Sequence, residues 1–533
     1  MKFRIKKLSV ELNDERTLNE IAAEYLKVDV KKIRNVKIVR QSIDARRYNG
    51  AGIKFNYVLE VEFDGKINFG RDKNLEKIPA PNVFTVAKLS RTLKYNPVVV
   101  GFGPAGMFTA LILARAGLNP IIFERGGDVD SRALAVSKFF STGVLDKNSN
   151  VQFGEGGAGT FSDGKLTSRT NDLLVNFVLE TFVKAGAPEE ILYLQKPHIG
   201  TDKLREVVKN IRNEILTLGG KIYFNSQVTD IEFDSSGAVN SVMVNDSDKF
   251  PADTIFFGVG HSARDTYEML NRHGVAMENK AFAVGVRIEH PQEFINRVQY
   301  GEDFKNTKLP VADYFLTYKD SSGRGAYSFC MCPGGVVVAA TSEIDGVVTN
   351  GMSNFERNSG VANSALLVTV DKVDFKNFGE DVLSGVRFQR HYEKLAFELG
   401  GKNYSSPVQS VGDFLNSRAD CKDFLVNPTY PIGYKIADLN KCLPVEVAQT
   451  LKNALTFWEG KIKNFAASNV ALTGIETRTS APCRILRDKE NLQSISNAGI
   501  YPVGEGAGYA GGIMSSAIDG VKSAQKYLTL LQR

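Results

Sequence analysis

Val98-Val99-Val100-Gly101-Phe102-Gly103-Pro104-Ala105-Gly106 decides the fold. The valines read as a buried parallel strand, the glycines as a G-x-G-x-x-G turn, and the apolar pattern over about 104–116 as a helix. A second strand, Pro120-Ile121-Ile122-Phe123, closes a βαβ unit and ends on Glu124. In such a unit Gly101 permits the tight turn, Gly103 lets the backbone approach a pyrophosphate, and Gly106 allows close helix–strand packing. The helix start at Pro104 and Ala105 supplies free amides and a positive dipole end. Glu124 stands at the spacing where a carboxylate binds the adenosine ribose, and an acid there disfavours a 2′-phosphate. Strand, turn, helix and acid together predict a dinucleotide site, without distinguishing FAD from NAD.

Outward from this unit, helix and strand patterns alternate to about residue 283. Residues 284–460 carry more isolated strands and aromatics and read as an inserted substrate or cap domain. Residues 461–533 return to the α/β texture, with a strand over 499–503 and a final helix from about 512. Upstream, residues 3–10 alternate in polarity, Thr17 caps an apolar helical pattern, and Ile53, Phe55, Tyr57, Leu59, Val61 and Phe63 fall on one face at period two. This predicts an α+β module of order strand, helix, strand, strand, with its core ending near residue 66. Pro79, Pro81 and Asn82 read as a linker. The expected divisions are 1–75 for this accessory module, 95–283 for the first part of a Rossmann-type domain, 284–460 for the insert and 461–533 for the closing part.

Composition sets the class. The 533 residues are 24% charged and 43% hydrophobic, as in ordinary globular chains. The start lacks the uninterrupted apolar core of a signal peptide, and no stretch reaches the roughly 20 apolar residues of a membrane helix. The five cysteines fit no complete disulfide framework, and the expected location is the cytoplasm. No Cys/His cluster has zinc spacing, so no metal is expected. The net charge is only +6, yet residues 27–47 hold eight Lys or Arg against two Asp. Such a patch suits an acidic partner, nucleic acid or a membrane surface, or is simply a solvated face.

Two further glycine stretches favour a flavin. Gly154-Glu155-Gly156-Gly157-Ala158-Gly159-Thr160 suits backbone passage along a cofactor, with Ser162, Asp163 and Lys165 as polar neighbours. Gly504-Glu505-Gly506-Ala507-Gly508 follows a strand and precedes Gly511-Gly512 and a helix. Glu505 there is a candidate for ribityl hydroxyls, and the helix start for the flavin pyrimidine.

Chemistry-bearing candidates are few. Arg478, Thr479, Ser480 and Arg484 precede the closing glycine segment, where arginines suit an anionic substrate; structural pairing of Arg478 with an acid is the alternative. Arg287, Glu289 and His290 open the insert, with His290 a candidate proton donor or else a hydrogen-bonded core histidine. Cys330 and Cys332 share one face of an expected strand and read as packing residues rather than a redox pair.

The chain resembles the bacterial FAD-dependent dehydrogenases within the glutathione-reductase-like flavoproteins. The likeness runs through Ser42-Ile43-Asp44-Ala45-Arg46, the Gly101 turn, residues 156–166 and Ser328-Phe329-Cys330-Met331-Cys332-Pro333-Gly334-Gly335. It continues through Thr349-Asn350-Gly351-Met352, Glu476-Thr477-Arg478-Thr479-Ser480-Ala481-Pro482 and residues 504–512. The resemblance implies FAD held by Gly101, Gly103, Pro104, Ala105 and Gly106, by Glu124 with Arg125, and by Gly156, Gly157, Gly159, Thr160 and Lys165. It adds the backbone near Val228 and Gly260, and Gly504, Glu505, Gly512 and Ile513. Cys483 departs from it, standing where an apolar residue is expected. The predicted function is hydride transfer through FAD between a small-molecule donor and an acceptor, with NAD(P)H as a candidate donor and an electron-acceptor protein as a candidate partner. The alternatives are an RNA-binding flavoprotein that uses the 27–47 patch and a non-catalytic flavin scaffold for electron transfer.

Overall fold

The computed structural model describes residues 1–46, 52–70, 72–78, 80, 83–167 and 172–532. The expected linker residues Pro79, Pro81 and Asn82 lie outside the described residues. The fold is α/β, built on three principal sheets.

The first is a parallel sheet of five short strands, in the order Ile500–Pro502, Ile255–Phe257, Val98–Val100, Ile121–Phe123, Lys221–Tyr223. Its inner strands are Val, Ile and Phe because both faces are covered. One face carries Pro104–Arg115 packed against the final helix Ile513–Leu531, with Phe108, Leu111 and Val521 in the shared core. A three-stranded antiparallel sheet over residues 228–251 packs on the other. Gly101, Glu124, Gly258 and Gly504 all emerge at the carboxyl ends of these strands, the edge where open α/β sheets bind ligands.

The second sheet has seven strands, in the order Thr317–Lys319, Gly325–Cys332, Val361–Val370, Phe282–Pro291, Ala471–Glu476, Ser406–Ser410, Tyr434–Ile436. The helices Ser384–Gly400 and Val445–Glu459 cover it, around fully buried Trp458. Ala471–Glu476 pairs with Phe282–Pro291 and Ser406–Ser410, so the boundary expected at 461 is too early: the cap sheet continues past it. The local pattern of that strand resembles any buried α/β strand, and only its long-range partners assign it.

The N-terminal sheet is antiparallel, in the order Ile33–Asp44, Lys54–Phe63, Lys2–Glu11, Leu75–Lys77. The helix Leu18–Leu26 begins in a capping box, Glu20 N donating to Thr17 Oγ1 and Thr17 N to Glu20 Oε2. Leu75–Lys77, beyond the expected core, is its fourth strand. The module is not a free appendage. Gln41 N donates to Tyr193 O at 2.8 Å and Gln195 N to Gln41 O at 2.9 Å. Leu12, Ile53 and Phe55 share an apolar cluster with Ile295, Tyr300 and Met331 of the cap.

Candidate functional site: a cofactor and substrate cleft

A cleft of about 1270 Å³ opens at the carboxyl edge of the parallel sheet, with the cap sheet opposite and Gln41, Ile43 and Phe55 of the N-terminal module at its rim. Small-ligand sites ordinarily occupy about 300–1,000 Å³, so this one has room for a dinucleotide and a substrate together.

Its first wall is largely backbone. Gly101 has φ +90°, and a Cβ there would lie 2.6 Å from Gly258 O; one on Gly106 would lie 1.9 Å from Gly101 O. Gly103 caps the helix with no side-chain bond, so the first-turn amides beside Pro104 and Ala105 are left for a ligand. Glu124 accepts from Phe102 N at 2.7 Å, Gly154 N at 2.9 Å and Gly126 N at 3.0 Å. A carboxylate has roughly four acceptor sites, so it ties three loops together and keeps capacity for a ribose hydroxyl. Arg125 pairs with Asp265 at 2.5 Å and lies over the Phe153 ring. Val228 and Gly260 complete this end.

Gly157 and Gly159 line the middle of the cleft. Their loop is ordered by Arg132, fully buried, whose guanidinium donates to the carbonyls of Asn150, Val151, Gly154, Glu155 and Gly157. Nothing in the sequence distinguished Arg132 from other helix arginines. At the far end, Glu505 accepts from Gly512 N at 3.1 Å, and burial pushes its carboxyl up to about 7. Gly260 and Gly512 present bare Cα atoms, with nothing within 4 Å of where a Cβ would stand. Glycine cradle, uncapped helix start, ribose acid and a second carboxyl beside a second helix start fit FAD.

Four expected cofactor residues are off the cleft wall and shape it from behind. Gly106 packs helix on strand, Gly156 N donates to Phe102 O, and Thr160 is buried with its Oγ1 against Gly156. Gly504 N donates to Asp519 at 2.7 Å. Ile513 lines the cleft, as does Lys165, whose ammonium binds Met331 O and sits 3.3 Å from Asp163.

The proposed catalytic side chains fare differently. His290 is fully buried outside the cleft, its Nε2 2.8 Å from Phe465 O and its ring against Phe465; burial pushes it down to about 4. Ser480 also lies off the cleft and accepts from Lys280 Nζ at 3.0 Å. Both are therefore corrected to structural roles: the strand Phe282–Pro291 turns the His290 ring into the cap's interior, and the turn after Ala471–Glu476 holds the half-buried Ser480 hydroxyl against Lys280. Arg478 lines the cleft, but its guanidinium is held by Glu393 at 2.8 Å and by Ser342. It belongs to a buried network in which Glu393 of the cap also binds Arg264 of the parallel-sheet domain at 2.6 Å. Burial raises Glu343 in this network, yet Arg264, Arg390 and Arg478 outweigh it and bring that carboxyl down to about 2. Arg287 is likewise taken up by Glu476, Asn363 and Asn350, and Glu289 by Thr429 and Thr473.

Two cleft histidines were not singled out as candidates. His198 stacks on Phe355 with Nε2 3.0 Å from its carbonyl, and burial lowers it. His261 follows Gly260 and is pushed to about 3 by burial, then by Arg478 and Arg264. Both face the cleft as neutral imidazoles. Tyr193, Tyr314, Phe315 and Phe329 give the far wall an aromatic character.

A sequence family described as "FAD-dependent protein, C-terminal domain-like" matches residues 281–479, and a domain of unknown function matches 4–62. An uncharacterized protein of Clostridium beijerinckii is 49% identical over 529 residues, covering 98% of each chain. The chain belongs to this family of FAD-dependent proteins. The boundaries of its C-terminal domain coincide with the outer limits of the cap sheet's interior strands, and the N-terminal match coincides with the three long strands of the first module. Among solved structures, the glycerol-3-phosphate dehydrogenase of Bacillus halodurans complexed with FAD is 12% identical at TM-score 0.34, covering 81% of this chain and 65% of that one. Glycine oxidase from Bacillus cereus is 10% identical at TM-score 0.31, covering 83% and 96%. These likenesses are too distant to carry a substrate over. Among the described residues, no helix is long and apolar enough to cross a membrane, and no group of three or more His, Cys, Asp or Glu is placed to hold a metal.

Proposed function

We propose that the chain is an FAD-dependent oxidoreductase that moves hydride between a small organic substrate held beneath the cap and an electron acceptor. One observation carries this reading: a single cleft joins a backbone cradle for a dinucleotide to an aromatic wall formed by Tyr193, Tyr314, Phe315 and the cap strand's Phe329. Glu124 and Val228 would take the adenosine end, the amides at Gly103 and Ala105 the pyrophosphate, and Glu505 the ribityl chain. When bound, FAD supplies two-electron chemistry at its ring. The start of Ile513–Leu531 puts positive potential where the reduced ring's charge would develop. Lys165, kept charged by Asp163 although burial works against it, supplies a fixed cation on the substrate side. The cap strand Gly325–Cys332 and Tyr314 exclude water from that side.

The reading divides the chain at about 1–75, 95–283, a cap and a closing segment, with the cap extended to residue 476. It gives the cleft a small-molecule substrate rather than nucleic acid: Arg34 pairs with Asp64 and Arg46 with Asp44, so the basic patch is partly neutralised. NAD(P)H is the candidate donor, an electron-acceptor protein the candidate outlet, and the cytoplasm the expected location. The test is anaerobic addition of NADH or NADPH to purified flavin-loaded protein. Rapid bleaching of the flavin band identifies the donor. Failure of nicotinamides and of a panel of organic donors alike to bleach it would leave only a flavin scaffold and refute the proposal.

A further inference from the structure

Opposite the glycine cradle, the cap strand Gly325–Cys332 breaks its own register. Phe329 pairs with Ala365 but Cys332 pairs with Asn363, leaving a bulge at residues 330 and 331. Within it Cys330 has φ +42°, a left-handed backbone that side-chain-bearing residues seldom adopt. Bulges re-aim side chains and concentrate near active sites. Here the bulge brings Cys330 to the cleft wall while Cys332, two residues on, stays fully buried behind it. Cys332 Sγ donates to Cys330 O at 3.2 Å, so the bulge folds the second cysteine's side chain back onto the first.

The surroundings are those of a thiolate. Lys165 donates to the carbonyl of Met331, the residue between the cysteines, and Arg287 donates to Cys330 O at 3.0 Å. The adjacent Cys332, with Lys165 and Arg287, outweighs burial and holds Cys330 below the usual thiol range. The adjacent Cys330 and burial push Cys332 up. Cys330 thus stands half-buried at the cleft wall with its thiol shifted toward the anion, and Cys332 is sheltered and shifted toward the protonated form, the division of labour of an attacking and a resolving cysteine. The other described cysteines differ: Cys442 and Cys483 are buried and raised by burial, and Cys421 lies in a loop remote from the cleft lining.

We propose that Cys330 and Cys332 are a redox-active dithiol that exchanges an electron pair with FAD bound in the same cleft, a role that rests on the FAD reading above. In the oxidising direction the Cys332 S–H bond breaks and a Cys330–Cys332 S–S bond forms. The two electrons and the one thiol proton pass together to the oxidised flavin as a hydride equivalent, so charge and hydrogen balance without any further reactant. The reverse step returns them. The substrate class this implies is a two-electron thiol or disulfide couple, in addition to whatever the flavin itself oxidises.

The test uses the full-length flavin-loaded protein in two readouts. After treatment with diamide and then iodoacetamide, the tryptic peptide 325–357, which contains both cysteines, is expected to have lost two hydrogens and to resist alkylation until a dithiol reductant is added. In anaerobic dithionite titration, the oxidised wild type is expected to take up about four electrons per chain, and Cys332→Ser or Cys332→Ala about two, because flavin and disulfide are each two-electron couples. A peptide whose cysteines both remain alkylatable after diamide overturns the proposal. So does wild-type uptake no greater than that of the variants. The peptide readout needs no substitution and no flavin, and flavin content is measured separately on the same sample, so failure of the FAD reading would appear there instead.

Discussion

The two walls of the cleft are built from different material. The parallel-sheet wall is made of backbone: the tight turn at Gly101, bare Cα atoms at Gly260 and Gly512, helix-start amides after Gly103, and one carboxylate, Glu124, that binds three amides. The cap wall is made of side chains delivered by distant strands, with Arg287 reaching Glu476 across neighbouring strands and Arg478 reaching Glu393 on a covering helix. A backbone cradle must be written contiguously, because each glycine serves the turn in which it stands. A side-chain wall can be assembled from anywhere in the chain. The first kind of wall is specified by pattern, the second by pairing.

The comparison breaks most readily at the network that joins the walls. Glu393→Gln removes a buried carboxylate shared by Arg264 and Arg478, and stranding buried charge costs about 3–5 kcal/mol. Urea unfolding is expected to lose that much, and a loss near zero would mean that the cap is held by other contacts. On the backbone wall, Gly106→Ala drives a Cβ into Gly101 O. Overpacking of this kind costs about 1–3 kcal/mol, and flavin retention on gel filtration should fall with it.

His290→Gln tests whether that residue is structural. Losing one buried hydrogen bond costs about 1 kcal/mol, while the rate of flavin reduction by whichever donor is found should stay unchanged; a slowed rate would return His290 to the chemistry. Its pH dependence has a definite sign. Because its folded pKa of about 4 lies below the ordinary imidazole value of 6.5, the unfolded chain binds the extra proton between these values. The contribution is therefore complete above about pH 6.5 and is lost as pH falls toward about 4. Urea midpoints across that window should drop more steeply in the wild type than in His290→Gln. The smallest effect is expected from Arg34→Ala with Lys37→Ala: exposed substitutions usually shift stability within about 0.5 kcal/mol, and flavin content should not change.

How much was legible follows from the same contrast. The βαβ unit, the Glu124 spacing and the closing Glu505 segment each lie within a short window, and the structure puts them on one edge. Gly156, Thr160 and Gly504 belong to the same motifs yet face inward, because a motif records the shape of a turn and not which of its atoms meets the ligand. His290 and Ser480 have the residue types of proton donors and stand near an expected boundary or motif, and nothing local reveals that Phe465 O and Lys280 Nζ occupy them. The boundary expected at 461 falls short for the same reason, because only pairing with Phe282–Pro291 and Ser406–Ser410 shows that Ala471–Glu476 continues the cap sheet. On an even strand Cys330 and Cys332 are packing residues of one face, and the bulge that separates their environments appears only once Val361–Val370 is paired alongside.

The central claim is that the cleft holds FAD against its backbone wall. The most direct measurement is the flavin bound per chain by purified protein incubated with FAD, followed by denaturation and identification of what is released. The account predicts about one FAD per chain, with an oxidised-flavin spectrum before denaturation and little binding by Gly106→Ala. Folded wild-type protein that neither carries nor takes up FAD would contradict it.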